Sequence, residues 1–152
     1  MRYEQTREIL QKLAPDYHRK VSLFYEQLTE CKVAPRVRLM LDYLIDHERQ
    51  RALALDEFCQ EAPKQVLDYW FKGVEISFPR PKADLLPETA GSDLDQLISA
   101  AIGYKKELIS YFDHLLEHTT SPEPINLIIT LKTQEEKAMK RMIRHSQGLA
   151  DL

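Results

Sequence analysis

The chain has little glycine and no long apolar run, and each shortage excludes a class of protein. Its four glycines, Gly73, Gly91, Gly103 and Gly148, are scattered through 152 residues, so they form no glycine-rich phosphate-binding loop. No apolar stretch reaches the roughly 20 residues that span a bilayer, and no signal peptide opens the sequence. The sequence therefore predicts a cytoplasmic protein that does not bind membranes.

The chain also lacks an excess of positive charge, and cysteine is scarce. The net charge of −3 gives no overall field that would attract nucleic acid, and we expect no nucleic-acid partner. The two cysteines, Cys31 and Cys59, are predicted near the ends of consecutive helices, about 35 Å apart by helical rise. They cannot then form an intramolecular disulfide, and they fit the reduced thiols of a cytoplasmic protein.

What the chain has instead is four apolar stripes with the 3.6-residue period of a helix. Pro15 interrupts the first stripe, which predicts a kink or a separate leading turn there. Ser92 or Asp93 is the expected N-cap of the third helix. The stripes contain, in order, Leu10, Ala14, Tyr17, Val21, Phe24, Tyr25 and Leu28; Val37, Leu41, Leu44, Leu55 and Cys59; Leu94, Ile98, Ala101, Leu108, Phe112 and Leu115; and Ile128, Leu131, Ala138 and Met142.

The lengths of the connections predict the topology. Short connections, "KVAP" and "TTSPEP", make the first and second helices antiparallel neighbours, and likewise the third and fourth. The segment 63–92, called the crossing below, is long enough to run the length of the bundle and leave the second and third helices parallel. We therefore predict an all-α fold, a single domain over residues 1–152, with one long crossover. An up-down-up-down bundle with a loose loop is the alternative.

The crossing is predicted to have structure of its own. "PKQVLDYWFKG" indicates a short helix from Pro63 to Gly73, and "VEISF" (74–78) alternates like an edge strand. Trp70 and Phe71 are costly to leave in water, so we expect them to cap one end of the bundle. A dimer contact is the alternative for these two side chains.

One ionisable residue lies near the middle of each apolar stripe. They are His18, Glu48, Lys105 and Glu135, with Arg51 beside Glu48 in the second stripe. If Glu136 faces inward instead of Glu135, the residue three positions further along is Met139 instead of Ala138. An offset of 87 residues places "YHRKVSLFYEQLTE" on "YKKELISYFDHLLE" and Glu48 on Glu135, which suggests a duplicated helical hairpin.

The four helices resemble the ferritin-like superfamily, in particular its rubrerythrin-type bacterial members. The resemblance is carried by "SLFYEQL" and "ISYFDHL" in the odd helices and by "LIDHERQRA" and "LKTQEEKAM" in the even ones. It implies a four-helix bundle with one crossover, in which di-iron members place a Glu on each odd helix and Glu-x-x-His on each even helix. This chain keeps both even-helix glutamates. His18 and Lys105 replace the odd-helix glutamates, and Arg51 and Ala138 replace the histidines.

These departures argue against a di-metal site. Two unit positive charges 4 Å apart repel by about 4 kcal/mol at an effective dielectric of 20, and each metal ion is doubly charged. We therefore predict a degenerate site in which a buried polar cluster of ion pairs (His18, Glu48, Arg51, Lys105 and Glu135) replaces metal, with no cofactor and no catalytic residue. The hydroxyls of Tyr17 and Tyr104 are expected to reach this cluster.

The function predicted from these residues is a non-catalytic structural or protein-interaction domain, a homodimer through the crossing or bound to another protein. The alternative is a metal-binding oxidoreductase or iron-handling protein with a reduced site at His18, Glu48 and Glu135. His114 and His118 stand one helical turn apart, a spacing that can bind zinc or nickel. Without a third ligand, the expectation for this pair is two solvated side chains.

Overall fold

Four long helices account for most of the computed structural model, which describes residues 3–72 and 77–152. They are α2 (Ala14–Thr29), α3 (Pro35–Glu61), α5 (Leu94–His118) and α6 (Pro122–Ala150). The shorter elements are strand β1 (Glu4–Gln5), helix α1 (Thr6–Glu8), a π-helical turn (Ile9–Leu13), helix α4 (Lys64–Leu67), strand β2 (Trp70–Phe71), and two 3₁₀ turns (Ala83–Leu85 and Glu88–Ser92). The predicted all-α class is confirmed.

The apolar stripes decide which face of each helix turns inward. Most of the predicted stripe residues are buried, although α5 buries Leu97 more deeply than the predicted Ile98. Asp93, one of the two predicted caps, accepts hydrogen bonds from the amides of Asp95 and Gln96 at the start of α5. Pro15 lies in the first turn of α2, directly after the π-helical turn. A proline has no amide hydrogen to give the preceding turn, which accounts for the irregular turn at this point.

Contacts between helix ends define the direction of each helix. The amide of Ala34, just before α3, donates to the carbonyl of Gly91, just before α5, at 2.8 Å. The side chain of Arg36 also donates to the carbonyl of Leu152, so α6 finishes at this end. Helices α3 and α5 therefore begin at the same end and run parallel, and the crossing runs from the end of α3 back to the start of α5. The up-down-up-down alternative would have placed the start of α5 at the opposite end.

The crossing differs from its prediction. Its helix extends only over Lys64–Leu67, and Trp70–Phe71 is a strand that pairs antiparallel with Glu4–Gln5. The reason is tertiary: residues 4–6 lie beside this segment, and the amide of Thr6 donates to the carbonyl of Tyr69 at 3.0 Å. Most of the predicted strand 74–78, and the predicted helix end at residue 73, fall outside the described residues. Ser77 and Phe78 belong to no strand.

The aromatic residues of the crossing have separate environments. Phe71 and Phe78 are buried by their own chain, and the Phe78 ring packs between the rings of Tyr17 and Tyr111, with centroids 6.1 and 4.7 Å away. Trp70 points the other way and leaves 45% of its surface exposed. The prediction that both Trp70 and Phe71 cap the helices therefore fails for Trp70, because alternate residues of a strand face opposite sides.

Two further expectations concern cysteine and membranes. Cys31 is exposed and Cys59 is buried, and both are free thiols. Within residues 3–72 and 77–152, no helix combines the length and the apolar content that crossing a bilayer requires.

Candidate functional site

Helices α2, α3, α5 and α6 each direct an ionisable side chain to one buried point. His18 comes from α2, Glu48 from α3, Lys105 from α5 and Glu135 from α6, each with side-chain exposure of 3% or less. Arg51, one turn after Glu48, reaches in from the edge with 13% exposure. The structure thus brings together the five residues of the predicted polar cluster, with Glu135 and not Glu136 facing inward.

Lys105 lies at the centre of this cluster. Its ammonium nitrogen Nζ is 3.1 Å from Glu48 Oε1 and 2.8 Å from Glu135 Oε2, so one cation bridges two acids from different hairpins. His18 forms a second bridge, with Nδ1 against Glu48 Oε2 and Nε2 3.2 Å from Glu135 Oε1. Each of the four carboxylate oxygens therefore faces at least one nitrogen, which is what buried carboxylates require.

Arg51 completes the cluster in an unexpected way. Its Nε donates to Glu135 Oε1 at 3.1 Å, although the sequence placed it beside Glu48. Because residues three apart share a helix face, Glu48 and Arg51 point the same way, but the guanidinium reaches across to α6.

The ion pairs repeat with an approximate two-fold relation. His18 pairs with Glu48 inside the first hairpin (α2 and α3), and Lys105 pairs with Glu135 inside the second (α5 and α6), each pair 30 residues apart. The remaining pairs, Lys105 with Glu48 and both His18 and Arg51 with Glu135, join the two hairpins. This geometry agrees with the 87-residue offset of the sequence, since His18 corresponds to Lys105 and Glu48 to Glu135.

The contacts of His18 define its protonation state. Both ring nitrogens face carboxylate oxygens, which accept hydrogen bonds, so both nitrogens must carry a hydrogen and the ring must be an imidazolium. Burial alone would lower its pKa, but Glu135 and Glu48 outweigh burial and raise the pKa of His18 above its ordinary 6.5. The pKa of Lys105 is likewise raised, against burial, by the same two carboxylates.

The acids are correspondingly held in their charged form. Burial would raise the pKa of Glu48, but Lys105 and His18 outweigh it and lower that pKa to about 2. The pKa of Glu135 also falls well below its ordinary value, against burial, because of Lys105, His18 and Arg51. Three cations and two carboxylates thus share the interior.

His47 lies beside the cluster and stays neutral. Burial, followed by the positive charge of Lys105, lowers the pKa of His47 to about 4. Its Nε2 is buried and has no hydrogen-bond partner in the described part of the chain. Its ring stacks over Tyr43, which in turn stacks against exposed His145 with centroids 4.1 Å apart. A neutral ring here avoids adding a fourth buried cation.

The donor set does not fit the di-iron centre that the ferritin-like resemblance implies. Two of the four carboxylates of such a centre are replaced by His18 and Lys105, and the Lys105 ammonium lies between the two acids that remain. A metal ion would have to displace this ammonium and also approach His18 and Arg51.

The tyrosine hydroxyls do not reach the cluster, contrary to expectation. The Tyr17 hydroxyl lies 2.7 Å from the carbonyl of Tyr104 and 3.0 Å from Glu107 Oε2, and the Tyr104 hydroxyl donates to the carbonyl of Lys82 at 2.7 Å. Burial and Glu107 both raise the pKa of Tyr17. These bonds join α2 to α5 and α5 to the crossing. The error arose because a stripe gives the direction of a ring but not the partner of its hydroxyl.

A third buried acid, Glu4, was missed in the sequence. Glu4 is buried on β1, where Oε1 accepts from the Tyr111 hydroxyl and Oε2 accepts from the amide of Phe78 at 3.2 Å. No periodic signal marks Glu4, because it lies before the first helix and its partners are more than seventy residues away.

The histidine pair of α5 has a third possible metal ligand beside it, Glu117. His114, Glu117 and His118 have ligand atoms within 4.8 Å of one another. Glu117 was overlooked as a donor, although its spacing from His114 (i, i+3) places it on the same helix face.

Comparison of the chain with protein-family models, with curated proteins and with solved structures gives no match.

Proposed function

We propose that the protein is a non-catalytic ferritin-like helical domain whose di-metal site has been replaced by the polar cluster. We further propose that it acts by associating with a second copy of itself or with another protein. The observation that carries this proposal is the bridge made by Lys105, whose ammonium contacts both Glu48 and Glu135. That bridge supplies the positive charge that a metal ion would supply in the resembling family.

The burial of the polar cluster supports a structural role, since the side chains of His18, Glu48, Lys105 and Glu135 are each at most 3% exposed. Surface clefts of about 480 Å³ and about 280 Å³ lie elsewhere, the first lined by residues such as Phe58 and Leu127 and the second by residues such as Tyr17 and Arg80. No residue of the polar cluster lines either cleft. A substrate could not reach the buried ion pairs without opening the helices.

The alternative function has one observation in its favour. His18, Glu48 and Glu135 do lie in direct contact, as a reduced metal site would need. In an oxidoreductase or iron-handling protein of this kind, Lys105 would have to leave its two carboxylates and lose its proton. Its raised pKa makes that change unfavourable at neutral pH.

Metal analysis of the protein, purified without an affinity tag, separates the two functions. The wild type and Glu135→Gln are each incubated with Fe²⁺ and then desalted. We expect the two proteins to retain the same amount of iron. About two irons per chain in the wild type, lost in Glu135→Gln, would contradict the proposed function and establish the alternative. Surface-bound metal is distinguished in the same experiment by the His118→Ala variant, which leaves the cluster intact.

The partner and the compartment belong to the same proposal. Trp70, exposed on the crossing, supports association through that segment, and a second copy of the chain is the proposed partner. Another protein as partner, in the cytoplasm, is tested by co-purification of the intact chain from its native cell. Recovery of the chain in a membrane fraction would contradict the cytoplasmic location. Recovery of the chain without any other protein would contradict a second kind of partner but not the homodimer.

A further inference from the structure

The last turns of α5 carry three metal-ligand side chains on one exposed face. His114 is half-buried, and Glu117 and His118 are exposed. The two imidazole rings lie with centroids 4.6 Å apart. Two imidazoles and one carboxylate at i, i+3 and i+4 of one helix can converge on a single ion without bending the backbone.

The orientation of His118 supplies the second observation. Its Nδ1 lies 3.0 Å from the carbonyl oxygen of His114. A carbonyl can only accept, so Nδ1 carries the hydrogen and Nε2 keeps the lone pair that a metal ion needs. Metal-bound histidines typically donate their other ring N–H to a carbonyl or carboxylate in this way, which fixes the tautomer and the ring direction.

The surroundings favour a cation. The three residues occupy the C-terminal end of α5, where the backbone carbonyls carry partial negative charge. Glu117 forms no ion pair with any residue in the described ranges 3–72 and 77–152, unlike the carboxylates of the polar cluster, so its charge is uncompensated. Ligand atoms around a tetrahedral Zn²⁺ are about 3.4 Å apart, and side-chain rotation can close the present 4.8 Å at this exposed surface.

We propose that His114, Glu117 and His118, called the surface triad, form a binding site for one Zn²⁺ ion, with a fourth coordination position open to water. This site is independent of the polar cluster and of the proposed function, because it lies on the exposed face of α5 and uses none of the same residues. Zinc is favoured over calcium or magnesium because two of the three ligands are imidazole nitrogens.

Calorimetric titration of ZnCl₂ into tag-free protein, stripped of metal with a chelator, tests the site. We expect one ion per chain. His118→Ala should weaken the binding by roughly tenfold or more, since it removes a direct ligand. Glu117→Gln should weaken it as well, and as an exposed substitution it leaves the fold intact.

His145→Ala is the matched control, because His145 is an exposed histidine of α6 outside the triad. It should bind zinc like the wild type. Equal affinity in the wild type and His118→Ala would overturn the proposal, and so would an absence of heat on titration. Half an ion per chain would overturn the single-chain site as well. None of these results depends on iron, so failure here and failure of the proposed function are separate outcomes.

Discussion

Glu48 holds two cations at once, and that position makes its loss costly. Its carboxylate faces His18 and Lys105, both of which are buried. Removing one partner of a buried ion pair leaves an uncompensated charge, which typically destabilises a protein by a few kcal/mol. Arg51, one turn after Glu48 on the same helix, pairs with Glu135 and so keeps its partner when Glu48 is removed.

We predict that Glu48→Ala lowers the free energy of unfolding by on the order of 3 kcal/mol, whereas Glu57→Ala, an exposed acid on the same helix, lowers it little. Urea unfolding followed by circular dichroism measures both. Equal and small shifts of the two midpoints would show that His18 and Lys105, the cations that contact Glu48, find other partners or water.

His18 is predicted to keep its imidazolium proton to a higher pH than a free histidine does. Since its folded pKa is raised above 6.5, its contribution to stability is fully present below pH 6.5 and is lost as the pH rises through the folded pKa. Two-dimensional ¹⁵N NMR of the ring, followed across a pH series, should show the doubly protonated ring persisting above the ordinary midpoint of 6.5.

The raised pKa of His18 also predicts how the effect of His18→Gln on stability changes with pH. The stability difference between wild type and His18→Gln should shrink from about pH 6 to about pH 9, while the difference between wild type and His145→Gln stays flat. A His18 ring that becomes neutral below pH 6.5, or a stability difference that grows with pH, would contradict the charge assignment.

At the scale of the helix, Asp93 has the clearest local role. Its side chain satisfies two amides at the start of α5. Asp93→Ala should therefore lower the free energy of unfolding by about 1 kcal/mol. Ser92→Ala, a neighbour whose hydroxyl bonds only to the carbonyl of Thr89, is the control and should change stability by less than about half of that. Equal losses would mean that Asp93 acts through something other than capping.

The long helices were predictable because burial on one face leaves a regular mark in the sequence. The stripes of α3 and α6 match their buried faces, and the polar cluster is visible as one charged residue in each stripe. Short elements leave no such mark. The strand at Trp70–Phe71 exists because Glu4 and Gln5 lie next to it, and no pattern within the crossing contains that information.

The partners in the cluster were equally beyond the sequence. The periodicity gave which side chains point inward, but the choice of Glu135 over Glu48 as the partner of Arg51 depends on the distances between helices. The surface triad of α5 differs, because the sequence alone was sufficient to predict it. Glu117 follows His114 by three residues, so the two share a helix face, but Glu117 was overlooked.

At the scale of the whole molecule, the open question is association. Phe71 and Phe78 are buried within the chain, which removes them from the apolar surface expected to pair two copies. Trp70 is the described aromatic residue of the crossing that still faces solvent strongly, so the proposed homodimer depends on it.

We predict that multi-angle light scattering gives the wild type a mass of twice 17.8 kDa at micromolar concentration and Trp70→Ser a mass near 17.8 kDa. Circular dichroism should show equal helix content, since Trp70 lies outside the long helices. The control is Leu53→Ser, which replaces an exposed apolar residue of α3, away from the crossing. A monomeric wild type, or a dimer in both variants, would contradict the contact through the crossing.

The shared ion pairs also have a consequence for how the molecule opens. If the second hairpin detached, His18 and Glu48 would keep each other, but Glu48 would lose Lys105, and His18 and Arg51 would both lose Glu135. Detachment breaks these three ion pairs at once. Partial opening is therefore penalised, and the two hairpins should unfold as one cooperative unit. In native-state amide hydrogen exchange, the slowest amides of α3 and α6 should report the same opening free energy. In Lys105→Met they should separate, with one hairpin exchanging well before the other.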